Sequence, residues 1–150
     1  MREFVVDLHV HTCLSACGMP AMIPPKIVAA AKLKGVDGIG ITDHNSAANV
    51  GAVTAAAKAA GGGITVFGGM EITTQEEIHL LALFPDGETL YRLQDLVESR
   101  LYGRNNPDFF GEQYLVDAEG YVTGTSGLLL AGATGLSIEE AVDAVHEHGG

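Results

Sequence analysis

The sequence predicts an α/β fold, and three observations carry that expectation. Short apolar runs alternate with helical stretches over the first 85 residues, glycines punctuate the alternation, and polar clusters sit where the apolar runs end. Strand–helix–strand alternation at this pitch is the pattern of parallel α/β architecture, either an open sheet or a barrel.

Phe4 to Leu8 reads as the first strand, followed by a loop carrying Cys13, Cys17, Gly18 and Pro20. Pro24-Pro25 opens a helix from about Lys26 to Lys34, with Ile27, Val28, Ala31 and Leu33 on its apolar face. Proline suits a first turn, where the missing N–H would be unpaired anyway. Gly35 ends that helix. Gly38 to Thr42 reads as a second strand, and Ala47 to Ala60 as an Ala-rich helix stopped by Gly61-Gly62-Gly63. Ile64 to Phe67 is a third strand, Met70 to Thr73 a separate short extended piece, and Ile78 to Phe84 another strand. Asp86 to Leu101 has the i, i+3, i+4 spacing of a helix in Leu90, Leu93, Leu96, Val97 and Leu101.

At Gly103 the character changes. Residues 103–135 are rich in Gly, Asn and Thr and read as an insertion, with a hairpin of Gln113–Val116 and Tyr121–Thr123 around Glu119-Gly120. A last helix starts at the cap Ser137, with Glu140 completing a capping box, and stops at Gly149-Gly150. A helix followed by Gly-Gly sets up a turn into a further strand, so the 150 residues read as the amino-terminal portion of one domain.

Composition narrows the function classes. An apolar share of 47% suffices for a core, whereas a formal charge of -11 argues against a basic face that grips nucleic acid. An acidic chain can still process phosphates if bound cations reverse the local sign. Two cysteines are too few for a disulfide framework and favour a reducing compartment. No secretory leader follows Met1, and no apolar run reaches the roughly 18 residues of a membrane span. The expectation is a cytoplasmic protein with no membrane partner.

Four polar clusters carry the chemistry. In Asp7-Leu8-His9-Val10-His11-Thr12, residues two apart on a strand point to one side, so His9 and His11 would project together onto a divalent metal. The alternative is one packed and one solvated histidine. Thr42-Asp43-His44-Asn45 ends a buried strand, the end where parallel α/β folds build their sites. Asp43 there can ligate or orient an imidazole, while Asn45 or Ser46 reads as a cap for the next helix. Glu71, between Met70 and Ile72, would be costly as an unpaired buried carboxylate, a cost that shared metals would remove. Its alternative is a solvated strand end. His79 opens a strongly apolar strand and taken alone reads as structural. His146 and His148 lie in a polar helix tail.

Together, Asp-Leu-His-Val-His-Thr, Thr-Asp-His-Asn, Gly-Met-Glu-Ile and the later His-Leu-Leu resemble the first motifs of the polymerase and histidinol phosphatase (PHP) family. The resemblance covers residues 5–84 by motif. It implies a distorted (β/α)7 TIM-like barrel, present here as its amino-terminal part, with up to three divalent metals (Zn, Mn or Fe) and hydrolysis of phosphate esters. Carried over by position, His9 and His11 would bind a first metal, Glu71 would bridge the first and second, His79 would bind the second and His44 the third. Asp43 is the catalytic candidate, matching a motif residue that acts from behind the ligands. Many relatives place a third-metal His or Asp where this chain has Ala16; the neighbouring Cys17 is either a substitute thiolate ligand or a buried structural thiol. Later family ligands, a His after the last helix and an Asp-x-His pair, have no counterpart here, which implies a weakly loaded or inactive chain.

The expected function is hydrolysis of a phosphorylated small molecule, nucleotide or oligonucleotide. The alternatives are a metal-dependent amidohydrolase and a non-catalytic PHP module of a larger assembly. An incomplete barrel exposes apolar strand edges, so a homo-oligomer is also expected.

Overall fold

The computed structural model describes residues 3–85 and 87–150. Strand β1 (Val6–Val10) leads through the cysteine loop into α1 (Pro24–Leu33), β2 (Gly38–Ile41), α2 (Val50–Ala59), β3 (Thr65–Thr73), β4 (His79–Phe84) and α3 (Gly87–Ser99). A short helix α4 (Pro107–Phe110), the hairpin strands β5 (Tyr114–Val116) and β6 (Val122–Thr125), and helix α5 (Ile138–Glu147) follow. Asp86, the expected first residue of the third helix, lies outside the described residues, as does Met1.

The fold is mixed α/β, built on a curled four-stranded half-barrel sheet in the order β1-β2-β3-β4. The first three strands run parallel, as the alternation predicts, and β4 runs antiparallel to β3. The reason is chain length. Only residues 74–78 separate β3 from β4, whereas a parallel return needs a crossover of about a dozen residues. This reversal matters for the site. It sets His79, at the start of β4, opposite Thr73 at the end of β3.

In the four-stranded sheet, two strands differ from expectation by more than a single end residue. β1 sits two residues later than the apolar run, because Phe4 and Val5 lie outside the paired region and Val6 is the first residue registered against Gly38. β3 is one continuous nine-residue strand rather than two pieces. Its Gly68-Gly69 is no turn; packing demands it. A Cβ at Gly68 would lie 2.9 Å from Leu90, and one at Gly69 only 2.3 Å from the Ala82 carbonyl oxygen.

Alternation then sorts the faces of β3. Met70 and Ile72 enter the main core with Ile39 and Ile41 of β2, Ile27, Val28 and Ala31 of α1, and Leu90, Leu93 and Val97 of α3. Glu71 faces the other way. Gly35 and the run Gly61 to Gly63 all have positive φ and stop α1 and α2 as expected. Ser137 and Glu140 make both bonds of the capping box on α5. The hairpin forms around Gly120, which has φ 89°. No helix among the described residues is long and apolar enough to cross a membrane.

Candidate metal centre

Glu71 lies at the middle of the site because three chain segments deliver four histidines to it. β1 places His9, and the residue just beyond its end is His11. After β2 the chain continues alongside β3: Glu71 N–H donates to the Asp43 carbonyl at 3.0 Å, and Asn45 N–H donates to the Glu71 carbonyl at 2.9 Å. This isolated bridge sets His44 beside Glu71. The reversed β4 brings His79. All five residues expected as ligands, from positions 9 to 79 of the chain, meet in one cluster.

The distances are those of converging donors. His9 Nε2 and His11 Nε2 each lie 3.0 Å from Glu71 Oε2, and 2.9 Å from each other. His79 Nδ1 is 2.7 Å from the other oxygen, Oε1, and His44 Nδ1 is 3.5 Å from Oε2. Glu71 therefore presents one oxygen to His9 and His11 and the other to His79. Donor atoms bound at roughly 2.1 Å to a common cation at right angles stand roughly 3 Å apart, so the observed spacing suits a shared divalent ion. A second observation agrees. His44 Nδ1 is shielded from solvent and has no hydrogen-bond partner among the described residues, an arrangement that a cation would relieve.

Burial divides the cluster. The side chains of His11 and His44 are 17% and 12% exposed, those of His9 and His79 45% and 49%, and that of Glu71 only 6%. Burial lowers the pKa of His11 and of His44, and the charge of Glu71 offsets this only in part. Burial would raise Glu71, but hydrogen bonds from His9 and His79 and the nearby imidazole charges hold its carboxyl below its ordinary value. These two tendencies compete, since His44 cannot be neutral and also a cation beside Glu71. The burial of the two inner rings is the firmer cause, and it leaves neutral imidazoles with an ionised carboxylate, the forms a metal binds.

Asp43 does not face the cluster. Its buried carboxylate accepts from Thr12 N–H and Ser15 Oγ–H on Oδ1, and from Thr12 Oγ1–H on Oδ2, each at 2.7 Å. Burial pushes this carboxyl up, and those three bonds pull it back. Asp43 thus clamps the loop that begins at His11. The loop is tight: a Cβ at Gly18 would fall 2.0 Å from the Thr12 carbonyl oxygen.

Three polar residues that sequence reasoning passed over complete the support. Ser15 Oγ lies 3.0 Å from His11 Nδ1 and accepts from His44 N–H at 3.1 Å. Thr12 Oγ1 accepts from Leu14 N–H and from the Asn49 amide. The same Asn49 side chain donates to the Tyr114 carbonyl and accepts from Val116 N–H, tying the hairpin to the site. No periodicity marks a buried serine in a loop, and Asn49 resembles an ordinary helix cap. Asn45 and Ser46 do not cap α2, which starts at Val50. Asn45, at φ 48°, instead bonds Thr73 N–H and the carbonyls of Leu130 and Gly132.

Cys17 is exposed, which removes the buried-thiol alternative; the buried cysteine is Cys13. Its Sγ is 3.6 Å from His11 Nδ1, and donor atoms of His11, Cys17 and His44 all lie within 4.8 Å of one another. A cleft of about 350 Å³ opens beside the cluster, lined by Asp7, His9, His11, Cys17, Met19 and Met22 among others, with no lysine or arginine among the described residues that line it. Larger clefts, of about 580 and 650 Å³, lie among the helices away from the histidines.

Known proteins resemble the chain in sequence and in fold. A crystal structure from Bifidobacterium adolescentis, of a protein provisionally described as a metal-dependent phosphoesterase, matches with a TM-score of 0.50 and 26% identity. The match covers 66% of this chain and 35% of that one, so this chain spans about a third of its length. No curated protein matches at a comparable level. The sequence profile of the PHP domain matches residues 7–146, nearly the whole chain, and the chain belongs to the PHP domain family.

Proposed function

We propose that the chain carries the metal-binding half of a phosphoesterase that hydrolyses a phosphate ester of a small metabolite, nucleotide or oligonucleotide. The single observation behind this reading is Glu71, whose two oxygens reach histidines from three different strands or strand ends. His9, His11, Glu71, His79 and His44 would hold divalent cations there, Zn, Mn or Fe, with Cys17 within reach as a soft donor that favours Zn or Fe over Mg. Bound at such a site, divalent cations supply Lewis acidity and an acidified water for attack on phosphorus. The protein's own part is to gather the donors, keep the inner imidazoles neutral and hold the His11 loop rigid through Asp43.

The charge balance supports an anionic substrate recognised through cations. Among the described residues the adjoining cleft has no basic side chain to pair with phosphate, and the chain is strongly acidic. In the same reading, the half-barrel is part of a (β/α)7 barrel in a cytoplasmic protein.

The deciding experiment is metal analysis of the purified chain, followed by turnover of p-nitrophenyl phosphate against a p-nitrophenyl carboxylic ester, with and without Mn. Phosphate release that needs metal and vanishes in His9→Ala is the expected result. Turnover of the carboxylic ester alone would favour an amidohydrolase-like activity. A filled site with neither activity would make this a non-catalytic module.

A further inference from the structure

A metal-ligating imidazole must present a bare lone pair, and the proton on its other nitrogen needs a partner that keeps it there. For His11 the nearer partner of Nδ1 is Ser15, with Cys17 Sγ standing off at 3.6 Å, and the direction of the serine bond follows from counting hydrogens. A serine hydroxyl has one hydrogen and two lone pairs. One lone pair of Ser15 Oγ accepts from His44 N–H at 3.1 Å. Its hydrogen goes to Asp43 Oδ1 at 2.7 Å. The remaining lone pair faces His11 Nδ1 at 3.0 Å, so once a cation takes the lone pair of Nε2 the proton of His11 belongs on Nδ1.

Asp43 cannot reverse this order cheaply. Thr12 spends its backbone N–H and its hydroxyl hydrogen on the same carboxylate. Its hydroxyl oxygen is already taken by Leu14 N–H and the Asn49 amide, so the hydroxyl has nowhere else to point. A carboxylate receiving three donors stays a pure acceptor.

We propose that Ser15 is the positioning residue of this centre: anchored on Asp43, it takes the Nδ1 proton of a metal-bound His11 and leaves Nε2 turned toward Glu71 and His9. The same hydroxyl anchors the backbone of His44, so one oxygen orders both inner imidazoles. This deepens the metal-site reading but does not depend on catalysis, because the tautomer is read with Zn bound and no substrate present.

The test is a long-range proton–nitrogen NMR spectrum of the 15N-labelled, Zn-loaded chain, recorded well above about pH 6.5, where imidazoles are neutral. Wild type and Ser15→Thr, which keeps the hydroxyl, should show His11 protonated on Nδ1. Ser15→Ala should show the other tautomer or a mixture. Zn affinity, read by competition with a chromophoric chelator, should fall about 10–100-fold in Ser15→Ala and recover in Ser15→Thr. Protonation of His11 on Nε2 in wild type overturns the proposal. So does a Ser15→Ala chain that keeps both tautomer and affinity. Should Ser15→Ala fail to fold, the spectra of wild type and Ser15→Thr still decide. Loss of the phosphoesterase reading, by contrast, would appear as absent phosphate release with the tautomer intact.

Discussion

The two halves of the histidine cluster are built differently, although both converge on Glu71. His11 and His44 form the inner half: they are mostly buried and tied to Ser15, and through it to Asp43. His9 and His79 form the outer half, with rings nearly half exposed that reach Glu71 from the edge strand β1 and from the reversed strand β4. The difference teaches where rigidity is needed. The inner half is fixed by hydrogen bonds before any ligand arrives, while the outer half has room to adjust.

The carboxylate at the junction gives the strongest way to break the comparison. Glu71→Gln keeps the shape but removes the charge and supplies an N–H donor where lone pairs are wanted. Both halves should lose metal together, with affinity for Zn or Mn falling by at least the 10–100-fold of a lost supporting contact. Equilibrium dialysis with metal analysis measures it. Retained stoichiometry in Glu71→Gln would mean that the histidines bind without their shared oxygen and that the two halves are independent sites.

Next in size is the contrast between support and ligand. Asp43→Ala leaves the Thr12 N–H and two hydroxyl hydrogens without their buried acceptor, at about 1–3 kcal/mol for each unsatisfied group. Chemical denaturation should therefore show a large loss of stability along with the loss of metal. His9→Ala should cost metal affinity while stability stays within about 0.5 kcal/mol, as for surface changes generally. Equal destabilisation by the two substitutions would erase the distinction between inner and outer halves.

The same division explains what could be read from residues in order. The ligands themselves are legible, because His9 and His11 are two apart at a strand end and share a side by simple alternation. The family motifs added His44, Glu71 and His79, and all five residues do meet. The inner support was not accessible. Ser15 and Asn49 act through contacts between positions 28 and 67 residues apart in the chain, such as Ser15 with Asp43 and Asn49 with Val116, and local spacing carries no trace of them. The strand reversal at β4 was hidden for a related reason: an apolar run has the same composition whichever way it runs. Only the short 74–78 connection marks it, once β3 is recognised as a single strand that passes through Gly68-Gly69.

The smallest expected effect concerns pH and isolates the inner half. Burial lowers the pKa of His11 and His44, so both stay neutral in the folded chain under conditions where the unfolded chain already begins to protonate them. As pH falls from 7 through the ordinary value of 6.5, the unfolded state takes up protons first and gains stability relative to the folded state. Stability of the metal-free chain should therefore fall as pH falls in that window, and rise again as pH is raised. Asp43 acts in the opposite sense, because burial pushes its carboxyl upward and makes the folded state the better proton acceptor. The imidazoles should prevail, being two against one carboxylate that keeps three donors. Thermal midpoints measured between about pH 5 and 7.5 in a chelator test this, the range bracketing the ordinary histidine value. His44→Asn should flatten the slope. A slope of opposite sign in wild type, or one untouched by His44→Asn, would show that the inner imidazoles are not held neutral by burial and that the two halves titrate alike.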